Sequence, residues 1–161
     1  MQKVLETLDN LNITYKLKEH EAVFTVAEAN EFWTDIEGVH CKNLFLRDKK
    51  GRQHYLVIAD KNTDVSLQQL NQLLGGERLG FASEKRLNKY LQLIPGSVSP
   101  FGVINDAENH VILFIDQTLR EAEAVSFHPN VNTATLTLSF PDFEKFLQHS
   151  GNVYRYVDFS G

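Results

Sequence analysis

The chain has 161 residues, a single cysteine and a formal net charge of -5. That length fits one domain, a lone Cys41 excludes an internal disulfide, and the acidic balance argues against broad, sequence-independent binding of DNA or RNA. No apolar run reaches the length of a membrane span and MQKVLETLDN lacks the apolar core of a secretory signal, so a cytoplasmic protein without membrane attachment is the expectation.

In chain order, Val4, Leu5, Leu8 and Leu11 recur at helical spacing and predict an amphipathic helix over residues 1–11. Residues 13–17 alternate and read as a short strand. Thr25 with Glu28 three residues later forms a capping box, which opens a helix running to about Phe32. Two apolar runs, residues 44–46 and 55–59, flank the polar turn at residues 48–51 and predict a hairpin, with Gly51 free to take positive φ. The second run is apolar at consecutive positions, as in a strand covered on both faces at the centre of a sheet. Asp64 or Ser66 caps a helix carrying Leu67, Leu70, Leu73 and Leu74, stopped by Gly75 and Gly76.

Residues 79–82 read as a short strand, and Ser83 caps a helix that buries Leu87, Tyr90 and Leu91. Residues 94–106 hold two prolines, two glycines and two serines, the composition of an ordered loop. A turn at residues 106–109 leads into the apolar strand 111–115. Residues 124–127 and 133–138 read as strands on either side of the turn His128-Pro129-Asn130. Pro141 and Asp142 open a last helix with Phe143, Phe146 and Leu147 on its apolar face. Gly151 ends it, and residues 153–157 form a closing strand. Helices and strands are mixed without strict alternation, which gives a single α+β domain with a mixed sheet.

One residue breaks the pattern. Side chains alternate along a strand, so Lys42 shares a face with Leu44 and Leu46 while Asn43 shares the other with Cys41 and Phe45. A lysine there either snorkels from a strand end or is held in a pocket for a purpose. Lys42, Arg47, Lys49, Lys50, Arg52 and Lys61 form one basic group in sequence, and Lys85, Arg86 and Lys89 a second. Either is a solvated surface or a local anion contact.

Other chemistries find little support. The six histidines are scattered, with no HxxxH and no cysteine pair, so no metal site is expected. Neither GxGxxG nor a Walker loop is present. Ser97 or Ser99 could join His128 and Asp116 as a triad, but no GxSxG elbow supports it. Cys41 sits among apolar strand residues, where thiols are usually buried and inert.

Four stretches together resemble the YbaK/prolyl-tRNA synthetase editing-domain family, in particular its free-standing branch of alanyl-tRNA(Pro) deacylases. They are FTVAEA from Phe24, CKNLFLRDKKGRQHYLV from Cys41, PGSVSPFGVIND from Pro95 and FHPNVNTATLTL from Phe127. The resemblance implies a sheet curled towards a barrel with helices around it, and an enzyme that hydrolyses the ester of mischarged tRNA(Pro) without metal or cofactor. Lys42 matches the lysine of the family's KN pair and is the expected catalytic residue. Asn43, the GxxxP loop formed by Gly96, Ser97, Val98, Ser99 and Pro100, and His128 are the expected substrate-binding residues. Phe45 and Phe101 are candidate pocket walls. Alanine is the expected amino acid, with cysteine or serine as alternatives. A non-catalytic module docking on tRNA or on prolyl-tRNA synthetase is the remaining alternative. No DNA or membrane partner is expected.

Overall fold

The computed structural model describes residues 1–22, 38–76 and 78–160. The helix expected from Thr25 to Phe32 lies outside them. The first helix, α1 (Gln2–Asn10), buries Val4 and Leu8. Strand β1 (Tyr15–Glu19) starts two residues later than its alternation suggested. Ile13 is core instead, its N–H bonded to Leu8 O at 3.0 Å.

The hairpin is β2 (Val39–Arg47) and β3 (His54–Asp60), paired antiparallel from Cys41–Asp60 to Arg47–His54. Gly51 closes its turn at φ +67°. Then follow α2 (Leu67–Leu73), β4 (Gly80–Phe81) and α3 (Glu84–Leu91), with Ser66 and Ser83 as the N-caps of the two helices. A 3-10 helix (Pro100–Asn105) occupies the expected loop, because the Ser99 hydroxyl accepts from Phe101 N–H and Pro100 supplies a helical φ at the first position. Strand β5 (Ile112–Asp116), a 3-10 turn (Gln117–Glu121), β6 (Ala124–Phe127), β7 (Ala134–Ser139), α4 (Phe140–Ser150) and β8 (Tyr154–Val157) complete the chain. Capped by Ser139, α4 starts one residue ahead of the expected Pro141, and Gly151 ends it at φ +78°.

The strands form one mixed sheet in the order β1-β7-β6-β2-β3-β5-β8, with β4 added beside β2. β2 with β6, β3 with β5 and β5 with β8 run parallel. The sheet does not close on itself, since β1 and β8 stand at opposite ends of that order. β3 is central, and its residues from His54 to Ala59 are buried.

The sheet separates two apolar clusters. On one side Leu8, Leu91, Phe101, Phe143 and Phe146 from the helices meet Phe45, Ile58, Phe127 and Leu136 from the strands. On the other, Leu70 of α2 covers Leu46, Val57 and Phe114. The half-sheet β1-β7-β6 is different on that second side. His40 pairs with Ser126, Ser126 with Thr137 and Thr137 with Lys16, so four polar residues form one row across four strands.

Candidate active site at the end of the β2–β6 pair

Lys42 lies on β2 where this polar face gives way to the apolar one. His40 precedes it on the same face, and Leu44 and Leu46, packed in the second cluster, follow it. Ala59 is its neighbour on β3, and a methyl side chain there leaves room beside the lysine. Lys42 is half-buried, and no hydrogen bond or ion pair of its ammonium is found among the described residues.

The parallel pairing of β2 with β6 ends at His40–Ser126. Lys42 lies two residues past that pair on β2, and His128 two residues past it in the chain, one residue beyond the end of β6. His128 Nδ1 donates to Ala134 O at 3.1 Å, which makes Nε2 the acceptor in the neutral ring. Burial lowers the His128 pKa, and the nearby His20 ring lowers it further against the opposing pull of the Ala134 carbonyl. The imidazole is therefore neutral at pH 7. His20 meets it edge-on, with ring centroids 6.5 Å apart. His20 Nε2 lies 2.8 Å from Thr135 Oγ1. Neither His20 nor Thr135 stood out in the sequence; Thr135 was visible only as one of the alternating strand threonines.

Residues 96–100 approach from the main-core side. Gly96 has φ +87°, and Ser97, Ser99 and Pro100 are buried. Asn130 Nδ2, at 3.4 Å from Phe101 O, ties the turn after His128 to the end of this loop. Asn130 takes φ +63°, a conformation asparagine tolerates better than most residues. Its Oδ1 is buried without a partner among the described residues, and so is the Oδ1 of Asn43. Asn43 faces the main-core side, with Cys41 and Phe45. The structure thus joins the loop to the His128 turn by a direct contact. Lys42 and His128 are each two residues from the last β2–β6 register pair.

Phe45 and Phe101 are core rings. Phe45 stacks on His54 with centroids 5.5 Å apart. Phe101 is fully buried between Phe127 and Phe146, at 5.7 and 5.0 Å.

Ser99 and Cys41, two of the alternative nucleophiles, are engaged elsewhere, and so is Asp116. Ser99 Oγ caps the 3-10 helix. Asp116 accepts from Thr63 Oγ1 at 2.7 Å and from both the N–H and the hydroxyl of Thr118, so it serves the end of β5 and is not bonded to His128. Cys41 is buried, its thiol directed at Val39 O, and burial, reinforced by Asp60, raises its pKa well above the ordinary thiol value. Such a thiol is a poor nucleophile.

Residues 20–146 match the family described as the aminoacyl-tRNA editing domain. The chain is 47% identical over 159 residues to the prolyl-tRNA editing protein ProX of Acetoanaerobium sticklandii, covering 98% of this chain and 96% of that protein. It is 34% identical over 147 residues to the prolyl-tRNA synthetase associated domain-containing protein 1 of Danio rerio, covering 90% and 79%. Among solved structures, one described as a candidate trans-editing enzyme for prolyl tRNA synthetase superposes with a TM-score of 0.72. It covers 98% of this chain and 92% of that one at 20% identity, a likeness of fold. The chain belongs to the aminoacyl-tRNA editing domain family.

Proposed function

We propose that this aminoacyl-tRNA deacylase works in trans on mischarged tRNA(Pro), and that alanine is the amino acid it removes. The observation that carries the reading is Lys42: a half-buried ammonium without a protein partner among the described residues, two residues past the His40–Ser126 pair, as the neutral His128 is just beyond the end of β6. A cation in that setting gains from an anionic or developing oxyanionic ligand.

An aminoacyl ester needs little activation. Water attacks the carbonyl carbon, the bond to the ribose oxygen breaks, and that oxygen leaves with a proton as the 3′ hydroxyl. Lys42 stabilises negative charge in this sequence, either on the carbonyl oxygen or on the adjacent phosphate. His128 is held in one tautomer by Ala134 O, with Nε2 as the acceptor atom of its ring. The unpartnered Oδ1 atoms of Asn43 and Asn130 suit an α-ammonium. An unsatisfied buried acceptor costs about 1–3 kcal/mol, which a substrate donor relieves. The backbone of residues 96–100, turned by Gly96, reaches the site through the His128 turn, by the contact of Asn130 with Phe101 O.

A single-turnover deacylation screen over tRNA(Pro) charged with alanine, serine, cysteine and proline tests the reading. Release of alanine is expected to be fastest. Absence of hydrolysis on every ester, with tRNA binding retained, would favour the docking module instead.

A further inference from the structure

We propose that the β2–β3 turn and α3 form one docking surface for the phosphate backbone of the substrate RNA, with Phe81 as a base-stacking contact at its edge. The proposal rests on the tRNA-editing reading and adds to it where the body of the RNA lies.

The two basic groups are separate in sequence and continuous in space. Arg86 Nη1 donates to Gly51 O at 3.1 Å and to His54 Nε2 at 3.2 Å. Arginine has only donors, so His54 Nε2 is the acceptor and His54 Nδ1–H donates to His110 Nε2 at 2.9 Å. A Cβ on residue 51 would lie 2.6 Å from Arg86 Nη2. Glycine is what allows the guanidinium to close against the turn. Arg86 is thus a pin that sets the hairpin turn against the helix.

Around the pin, Lys49, Lys50, Arg52, Lys85 and Lys89 are all exposed. Residues 47–52 and 85–89 hold seven of the chain's 16 Lys and Arg, against one acid, Asp48. Asp48 is itself engaged by the backbone N–H groups of Arg52 and Gln53, and Glu84 flanks the patch at the start of α3. In a chain of net charge -5, this concentrates positive charge on one surface.

Two observations favour RNA over an acidic protein face. Phe81 is 63% exposed and pairs with Leu46, while its neighbour Gly80 pairs with Arg47. An exposed ring at the edge of the sheet is a platform for an unpaired base. Position is the second. β2 runs unbroken from Lys42 to Arg47, five residues or about 17 Å at the strand rise. A polyanion whose reactive end reaches Lys42 continues over this surface.

The test uses Lys49→Glu/Lys50→Glu, Lys85→Glu/Lys89→Glu and Phe81→Ala, each confirmed folded by melting. Binding of a tRNA(Pro) transcript is measured over a salt series, together with hydrolysis of Ala-tRNA(Pro) and of alanyl-adenosine ester. Each charge reversal is expected to weaken tRNA binding at least fivefold and to flatten the salt slope by roughly 0.7–0.9 per lost phosphate contact. Alanyl-adenosine hydrolysis should stay unchanged. Phe81→Ala should weaken binding with the slope retained. Wild-type tRNA affinity in both reversal variants overturns the proposal, as does an equal loss on alanyl-adenosine. Unchanged tRNA binding with lost association to prolyl-tRNA synthetase would also overturn it, giving the surface to a protein. If the deacylase reading itself failed, no ester would be hydrolysed, yet the salt slope would still report on the surface.

Discussion

Lys42 has apolar neighbours on its own strand face and no internal partner among the described residues, so it contributes little that the fold would miss. Lys42→Ala is expected to shift stability by no more than about 0.5 kcal/mol, as for other substitutions that break no internal contact. Hydrolysis of Ala-tRNA(Pro) should fall at least 100-fold, roughly the cost of removing one transition-state donor. Melting and single-turnover rates on the same preparation check this. A rate near wild type would return Lys42 to a snorkelling strand residue. Alternation along β2 made this residue conspicuous in the sequence, because an ammonium on the face of Leu44 and Leu46 breaks the apolar pattern of that face. The same rule placed Phe45 on the opposite face, and its stacking on His54 shows the consequence. Asn130 left no such trace. Its importance comes from a contact to Phe101 O, 29 residues away, which no local pattern encodes.

Two elements depend on close approach. Gly102, in the 3-10 helix, has no room for a side chain, since an added Cβ would meet Leu93 Cδ1 at 2.7 Å and Leu91 Cβ at 3.1 Å. Gly102→Ala is therefore expected to cost about 1–3 kcal/mol through overpacking. It should also slow hydrolysis, because residues 96–100 run directly into this helix. Thermal melting with a deacylation assay checks both, and a variant as stable as wild type would show that α3 yields easily. His54 is the second case. Burial first, then the His110 and Arg86 charges, lower its pKa to about 4. The unfolded chain binds a proton near pH 6.5 that the native chain refuses, so stability is lost as pH falls from about 6.5 towards 4. The full effect is about 3 kcal/mol. Urea unfolding between pH 7 and 4 should show this fall, and His54→Gln should lack that part of it. Parallel pH profiles for the two proteins would contradict the assignment. The sequence marked the hairpin and the helix caps, whose signals lie within a few residues. It could not show that His54, Arg86 and His110 converge, because neither period nor cap links residues 32 and 56 apart.

At the scale of the whole molecule, the parallel β2–β6 pair is what the sequence concealed. Strands 86 residues apart in register leave no turn signature, so the meeting of Lys42 with the His128 level came from the family resemblance and not from patterning. That meeting bears on selectivity. A synthetase site wide enough for proline rejects alanine weakly, because missing methylenes in an apolar pocket cost only about 1–3 kcal/mol. Editing then needs the opposite sieve, which admits a methyl and excludes the ring. Phe45 and Phe101, the expected setters of its depth, pack in the core against His54 and Phe146. The loop at residues 96–100 and the strand bearing Lys42 are the walls we propose. Ser97, Ser99 and Pro100 are buried there, so the loop has little freedom to retreat from an oversized substrate. Forcing the proline ring against such a wall costs about 1–3 kcal/mol of overpacking strain. That corresponds to roughly a 5- to 150-fold lower kcat/KM for Pro-tRNA(Pro) than for Ala-tRNA(Pro), each 1.36 kcal/mol being tenfold. Serine, close to alanine in size, should fall between them. The measurement is kcat/KM for alanine, serine, cysteine and proline esters of one tRNA under one condition. Equal values for alanine and proline would reject the size sieve. A preference for cysteine would transfer the specificity to a larger, thiol-bearing side chain while leaving the role of Lys42 intact.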